Sequence, residues 1–192
     1  MAWTIIRSGP YIENLSQFMA PTVEADGTTL FKLPLDDGAI PFIYLQDLAA
    51  YVHWAATHIE ESNGLDFGVA TAHTSGEEIA LAFTATTNKP ARYESMPIEE
   101  WHAQVWKKLP KGADTKIGFL SVKDDAALLQ TYGENFANWW NLYKASAGNK
   151  GLIRRDYQFL DRILPNRVKS VEEWMKKENF TGERVSLVKL LE

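Results

Sequence analysis

Two side chains of this sequence, Tyr11 and His102, are the candidates for moving a proton. Tyr11 follows the turn-forming pair Gly9-Pro10, and His102 lies beside Trp101 in a segment with helical spacing. A phenol and an imidazole act as general acid or base when their surroundings adjust the pKa. We therefore treat both as candidate catalytic residues. The alternative for His102 is a polar residue at the edge of a packed helix.

Aromatic residues with helical spacing predict a stripe that packs in the core, and one ring beside it could line a ligand pocket. Phe136, Trp139 and Tyr143 are three and four residues apart, which places them on one stripe of a helix. Neighbouring helical residues differ by about 100° around the axis, so Trp139 and Trp140 cannot both face the core. We expect one ring of this pair to line a pocket or a partner surface, and we take both as candidate substrate-binding residues.

Metal and thiol chemistry find no support in the sequence. The chain has no cysteine, which excludes a disulfide scaffold, a thiolate zinc site and a cysteine nucleophile. The histidines show none of the spacings that bind zinc; they are His53, His58, His73 and His102. No lysine has a tyrosine four residues before it, so the Tyr-x-x-x-Lys proton donor of dehydrogenases is absent. We therefore predict no metal.

Composition indicates a globular protein of one domain. The chain has 192 residues, 45% of them hydrophobic, and a net charge of −5. No stretch approaches the roughly 20 apolar residues of a membrane span, and no secretory signal opens the chain, which favours the cytoplasm. Basic residues concentrate after position 143 but alternate with acidic ones, so a nucleic-acid partner is not expected.

Apolar runs and turn signals predict an α/β fold. Residues 4–7 and 67–70 have the short, continuously apolar character of buried parallel strands. Residues 28–32 and 40–45 flank a turn and predict a pair of strands. Strands alternate with helices, and the remainder of the chain is rich in helix.

Helix boundaries follow from capping residues. We expect Asp47 to cap one helix, and capping boxes at Ser75 and Ser170 to start two others. Ser121 is predicted to start the longest helix, whose apolar stripe would include Leu129.

Two segments carry a resemblance to a known family. The segment Thr4-Ile5-Ile6-Arg7-Ser8-Gly9-Pro10-Tyr11-Ile12-Glu13-Asn14 and the segment from Gly38 to Ala49 resemble the NmrA-like family of atypical short-chain dehydrogenase/reductases. The resemblance implies that residues 1–192 are a single truncated domain, with a strand and loop part over 1–74 and a mostly helical, substrate-side part over 75–192. The expected fold is a remnant of a Rossmann-like parallel sheet with a helix-rich C-terminal portion.

The resemblance also implies that a dinucleotide-binding half is missing. In that half, a glycine-rich turn and a helix N-terminus hold the pyrophosphate. These 192 residues contain no Gly-x-Gly-x-x-Gly motif. We therefore expect no cofactor, and NADP only if an N-terminal half is supplied elsewhere.

In relatives, the loop after the first strand faces the nicotinamide and substrate cleft. The resemblance therefore makes this loop a candidate substrate-binding site, whose residues are Ser8, Gly9, Pro10, Tyr11 and Asn14. The alternative is that Gly9-Pro10 is simply a turn and that Asn14 caps a helix.

Three functions remain open from the sequence. The first is a cofactor-independent small-molecule-binding or regulatory module. The second is a cofactor-free isomerase, cyclase or dehydratase of an aromatic or polyketide-like metabolite, and the third is a fragment of an NAD(P)-dependent reductase. An incomplete sheet leaves an unpaired edge at residues 4–7, which favours a homo-oligomer or a complex with a full-length relative.

Overall fold

Short strands alternate with helices along the chain in the computed structural model, which describes residues 1–107, 110–118 and 129–185. The strands are β1 (Ile5–Arg7), β2 (Thr22–Val23), β3 (Thr29–Leu33), β4 (Ile40–Phe42), β5 (Asp66–Gly68), β6 (Ala72–Thr74) and β7 (Ala91–Ser95). The helices are α1 (Leu45–Thr57), α2 (Ile59–Ser62), α3 (Gly76–Thr87), α4 (Ile98–Trp106), α5 (Pro110–Ala113), α6 (Tyr132–Lys144), α7 (Tyr157–Ile163) and α8 (Val171–Lys177). Short 3₁₀ turns cover Ile12–Ser16 and Ala147–Asn149.

The predicted parallel pair is present as β1 and β5. Ile6 lies opposite Phe67 in a parallel register, which confirms the α/β class. The prediction that the first strand is buried is wrong, because Trp3 and Ile5 are 52% and 49% exposed. Among the described residues only β5 pairs with β1, so the opposite edge of β1 is unpaired.

The predicted pairing of residues 28–32 with residues 40–45 is wrong. β3 instead lies between β2 and β7, parallel to β7, and β4 pairs antiparallel with β6. The connecting turn carries the chain away from β3, because the N–H of Ala39 donates to the carbonyl of Tyr143 at 3.2 Å. This hydrogen bond directs the segment that follows β3 onto α6.

A capping box is complete at the start of α3 and half formed at the start of α8. Ser75 Oγ accepts from the N–H of Glu78 at 3.2 Å, and the N–H of Ser75 donates to Glu78 Oε2 at 2.7 Å, which confirms the first box. Ser170 Oγ accepts from the N–H of Glu173 at 3.1 Å. The Glu173 carboxylate accepts from Lys169 instead, so the second box is half formed.

Asp47 does not cap α1, contrary to the prediction. The helix begins at Leu45, whose N–H donates to Glu13 Oε1 at 3.1 Å, so a distant glutamate satisfies the helix start. Asp47 lies inside the first turn, is buried, and accepts from the N–H of Val168 at 2.9 Å. Burial raises the pKa of its carboxyl.

The predicted start of the longest helix also needs correction. Ser121 lies outside the described residues, and α6 begins at Tyr132 with Thr131 as its N-cap. Thr131 and Glu134 form a reciprocal capping box. Leu129 precedes this helix and cannot belong to its apolar stripe.

Two apolar clusters hold these elements together. The larger cluster joins β3 to α3, α6 and α8, and its largest fully buried side chains include Phe31, Phe83 and Trp140. The smaller cluster packs α1 and α7 against the β1–β5 pair; its buried members are Ile43, Tyr51, Val69 and Leu160.

Candidate functional site

A cleft of about 540 Å³ opens between the loop that follows β1 and one side of α6. It lies at the carboxyl ends of both parallel strands, because Ser8 follows β1 directly and Arg155 in its wall contacts the carbonyl of Val69 after β5. The lining residues are Ser8, Gly9, Pro10, Tyr11, Asn14, Phe18, Pro41, Phe136, Trp139, Leu142, Tyr143, Ile153 and Arg155. All five loop residues predicted to bind substrate line this cleft.

Backbone hydrogen bonds fix the loop in place. The carbonyl of Pro10 accepts from the N–H of Ile43 at 3.0 Å, and the N–H of Ile12 donates to the carbonyl of Ile43 at 3.0 Å. A Cβ at position 9 would lie 1.8 Å from the carbonyl oxygen of Pro41, closer than real Cβ contacts. The close approach of the loop to Pro41 therefore requires glycine at position 9.

Aromatic side chains of α6 form the opposite wall. The rings of Phe136 and Trp139 lie 4.5 Å apart, and Phe18 contacts Phe136 edge-on at 6.3 Å. Tyr143 closes the same wall, and burial raises the pKa of its phenol, which therefore stays neutral at physiological pH. The wall offers flat apolar surface with few charges.

Trp140 does not line the cleft, and its prediction as a substrate-binding residue is corrected. The side chain is 1% exposed and packs edge-on against Trp101 at 5.1 Å. The helical offset between neighbouring residues sends Trp140 into the larger core and Trp139 to the cleft.

His102 also lies away from the cleft. It belongs to α4, which packs near the start of α6, and a Cβ on Gly133 would lie 2.6 Å from His102 Nε2. The aromatic wall comes from residues later in α6, so Tyr11 and His102 are not in one site. Tyr11 lines the cleft, and His102 does not, so only Tyr11 remains a candidate for proton transfer in this cleft.

Arg155 is the functional candidate that sequence reasoning missed. Its guanidinium donates from Nε to the carbonyl of Val69 at 3.2 Å and from Nη1 to the carbonyl of Arg154 at 3.0 Å. Burial and the nearby charge of Arg7 lower its pKa. The basic residues after position 143 alternate with acidic ones, and nothing in their spacing distinguishes Arg155.

Two absences hold for the described residues, one for metal clusters and one for membrane-spanning helices. They contain no group of three or more His, Asp or Glu side chains that could hold a metal ion. Within the same part of the chain, none of the helices combines the length and apolarity that crossing a bilayer needs.

Parallel strands with a ligand-sized cleft at their carboxyl ends define a Rossmann-type α/β protein. The sequence profile of the NmrA-like family matches residues 1–140. The chain therefore belongs to the NmrA-like family.

Solved structures share this fold at low sequence identity. A doubly substituted NmrA is 12% identical with a TM-score of 0.60. NmrA, a negative transcriptional regulator solved in complex with NAD, is 15% identical with a TM-score of 0.56. A nucleoside-diphosphate-sugar epimerase from Staphylococcus aureus is 13% identical with a TM-score of 0.60. Each alignment covers 92% of this chain and 52% of the other.

One similar protein of known activity is the NAD(P)H azoreductase of Xenophilus azovorans. It is 30% identical over 100 residues, which are 52% of this chain and 34% of the azoreductase. The chain therefore matches about a third of the azoreductase, and it spans about half the length of the similar solved structures.

Proposed function

We propose that this chain is a small-molecule-binding module of the NmrA-like type whose cleft binds a flat aromatic ligand. The observation that carries the proposal is the aromatic wall of Phe136, Trp139 and Tyr143 facing the loop around Tyr11. Binding sites for small molecules are mostly apolar clefts of this size with a few polar groups that orient the ligand. Ser8, Tyr11 and Asn14 would supply those groups.

We further propose that binding does not need a dinucleotide. The loop after β1 cannot cradle a pyrophosphate, because Pro10 has no N–H and Gly9 packs closely against Pro41. The carbonyl of Pro10 and the N–H of Ile12 pair with Ile43. These features argue against diphosphate binding by this loop, and in this proposal NADP enters only through a nucleotide-binding half supplied elsewhere.

Calorimetric titration with naphthol, a flat neutral probe, tests the first proposal. We expect saturable binding that weakens about tenfold in Trp139→Ala, since a central aromatic contact commonly contributes more than about 1 kcal/mol. The matched control is Trp3→Ala, which removes an exposed indole outside the cleft. Equal affinity of the two variants, or no binding by the unaltered chain, would contradict the proposal.

The same titration with NADP and NAD tests the second proposal. We expect no binding of either dinucleotide by the chain alone and no change in naphthol affinity in their presence. Micromolar binding of either one would rule out nucleotide independence.

The second candidate function is the substrate-side part of an NAD(P)H-dependent reductase. The similarity to the azoreductase and the half-length coverage of relatives favour it. In this reading Tyr11 and the aromatic wall hold the substrate, while the nucleotide belongs to another polypeptide segment. Oxidation of NADPH in the presence of an aromatic azo compound, only after a nucleotide-binding half is added, would support this candidate.

A partner would complete the β1–β5 sheet. The parallel register directs the N–H and carbonyl of Ile6 away from β5, towards an open edge. Trp3 and Ile5 add apolar surface beside this edge. We propose that a second copy or an NmrA-like relative binds here, so that ligand occupancy of the neighbouring cleft could regulate the partner. A monomer at all concentrations in light scattering, with no capture of a relative, would contradict this.

A further inference from the structure

We propose that the cleft selects aromatic ligands that carry an anionic group, such as a carboxylate or a sulfonate, and that Arg155 binds this group. The inference rests on the proposed function of the cleft and adds its ligand class. Of the residues that line the cleft, Arg155 is the charged one.

The charge of Arg155 has no counter-charge among the described residues. Its hydrogen bonds go to the backbone carbonyls of Val69 and Arg154, which are neutral. Two other arginines of the same region are paired with carboxylates: Arg7 contacts Asp66 at 2.6 Å, and Arg167 contacts Asp161 at 2.8 Å. Arg155 differs from these two in that it lines a cleft and has no carboxylate partner in the described part of the chain.

Two further residues hold this guanidinium in position. Asn149 binds the backbone of Arg155 on both sides, since its Oδ1 accepts from the N–H at 2.6 Å and its Nδ2 donates to the carbonyl at 3.0 Å. At Gly68, a Cβ would lie 2.6 Å from Arg155 Nη1, so glycine leaves the space that the guanidinium fills. The cation is therefore placed before a ligand arrives, which reduces the entropy lost on binding.

The surroundings make an anion the favourable occupant. A half-buried cation without a counter-charge loses hydration, which disfavours its charged form, and repulsion from Arg7 disfavours that form further. Arginine keeps its proton in proteins, so the penalty is not relieved by neutralisation. An anionic ligand would relieve it through charge-assisted hydrogen bonds, while Trp139 and Phe136 pack against its ring.

The test compares naphthoate with naphthalene methanol, a neutral probe of nearly the same shape. We expect the unaltered chain to bind naphthoate at least about tenfold more tightly, because charge-assisted hydrogen bonds are stronger than neutral ones. Arg155→Met should abolish this preference, because it should weaken naphthoate binding far more than naphthalene methanol binding. The matched control is Arg154→Met, whose exposed guanidinium does not line the cleft and which should keep the preference.

Two further measurements test the role of Arg155 even if Arg155→Met does not fold. Gly68→Ala, which displaces the guanidinium but retains the charge, should reduce the naphthoate preference. Raising the salt concentration should weaken naphthoate binding by the unaltered chain and leave the neutral probe unaffected. Inorganic phosphate should compete poorly, because it lacks the ring.

The outcomes separate the two proposals. Equal binding of both probes, with no effect of Arg155→Met or of salt, overturns the anion preference and leaves the aromatic cleft standing. Competition by phosphate as strong as that by naphthoate also overturns it, because the site would then recognise the anion without the ring. Failure to bind either probe overturns both the preference and the proposed function.

Discussion

The two sheets that include parallel pairs differ in how completely the chain covers them. The sheet of β3 and β7 packs against α3, and together with α6 and α8 it encloses Phe31, Phe83 and Trp140 almost fully. The β1–β5 pair has a small buried cluster, and Trp3 and Ile5 beside it are about half exposed. The first region is thus completed by the chain itself. The second is where we propose that a partner binds, and the cleft lies between the two.

The largest expected effect contrasts a core tryptophan with an exposed one. Trp140→Ala should lower the free energy of unfolding by about 3–5 kcal/mol, because it leaves a cavity in the larger cluster. Trp3→Ala should change it by no more than about 0.5 kcal/mol in the monomer. Urea denaturation measures both, and equal losses would show that the two regions do not differ as described.

The next effect concerns the loop between the two regions. Gly9→Ala should cost about 1–3 kcal/mol, since its Cβ would collide with the carbonyl of Pro41 and displace the loop. It should also weaken naphthol binding. Ser8→Ala is the control for the stability change alone, because Ser8 is exposed and its backbone need not move. Full stability of Gly9→Ala would mean that the loop is not held against Pro41.

A smaller effect is expected at the start of α3, in the well-covered region. Ser75→Ala should cost about 1 kcal/mol by removing the cap from the N–H of Glu78. Ser75→Gly should cost only about 0.3 kcal/mol, because glycine is tolerated at an N-cap. Thermal unfolding of both variants checks the order, and the reverse order would contradict the capping box.

The smallest expected effect is a dependence of folding stability on pH, which arises from His73 and its contacts with the segment that carries Arg155. Ile153 and Tyr157 both bind the ring of His73: Nε2 donates to the carbonyl of Ile153 at 2.9 Å, and Nδ1 accepts from the Tyr157 hydroxyl at 2.7 Å. Burial lowers the pKa of His73 below its ordinary value of 6.5, which favours the neutral ring in the folded chain.

The direction of the pH effect follows from proton uptake. Below about pH 6.5 the unfolded chain binds a proton at His73 while the folded chain does not, so stability falls as the pH falls through this range. Urea titrations between neutral and mildly acidic pH should show a weaker dependence in His73→Gln. The exposed His53→Gln variant should behave like the unaltered chain. If stability changes with pH equally in both variants, His73 is not the source of the pH dependence.

Sequence reasoning predicted local features of the fold better than long-range pairing. The capping box at Ser75 and the extended character of the segments that form β1 and β5 follow from residue types within short windows. The strands that pair with β3 cannot be predicted in this way, because the segment after β3 makes a long-range hydrogen bond from Ala39 to Tyr143. Asp47 was misassigned for a similar reason, since Glu13 supplies the contact at the start of α1.

The candidate site was predictable where it depended on one contiguous motif. The loop around Gly9 lines the cleft as a unit, and helix geometry required one of Trp139 and Trp140 to point away from the core. Which of the two does so depends on how α6 packs, and that information is absent from the local sequence. Arg155 could not be found either, because its significance depends on an unmatched charge and on space left by Gly68.

A crystal structure of this chain grown with naphthoate, with no dinucleotide added, tests the central claim most directly. We predict the naphthalene ring against Trp139 and the carboxylate within hydrogen-bond distance of Arg155. A ring bound anywhere other than this cleft, or a cleft left empty at saturating naphthoate, would contradict the account.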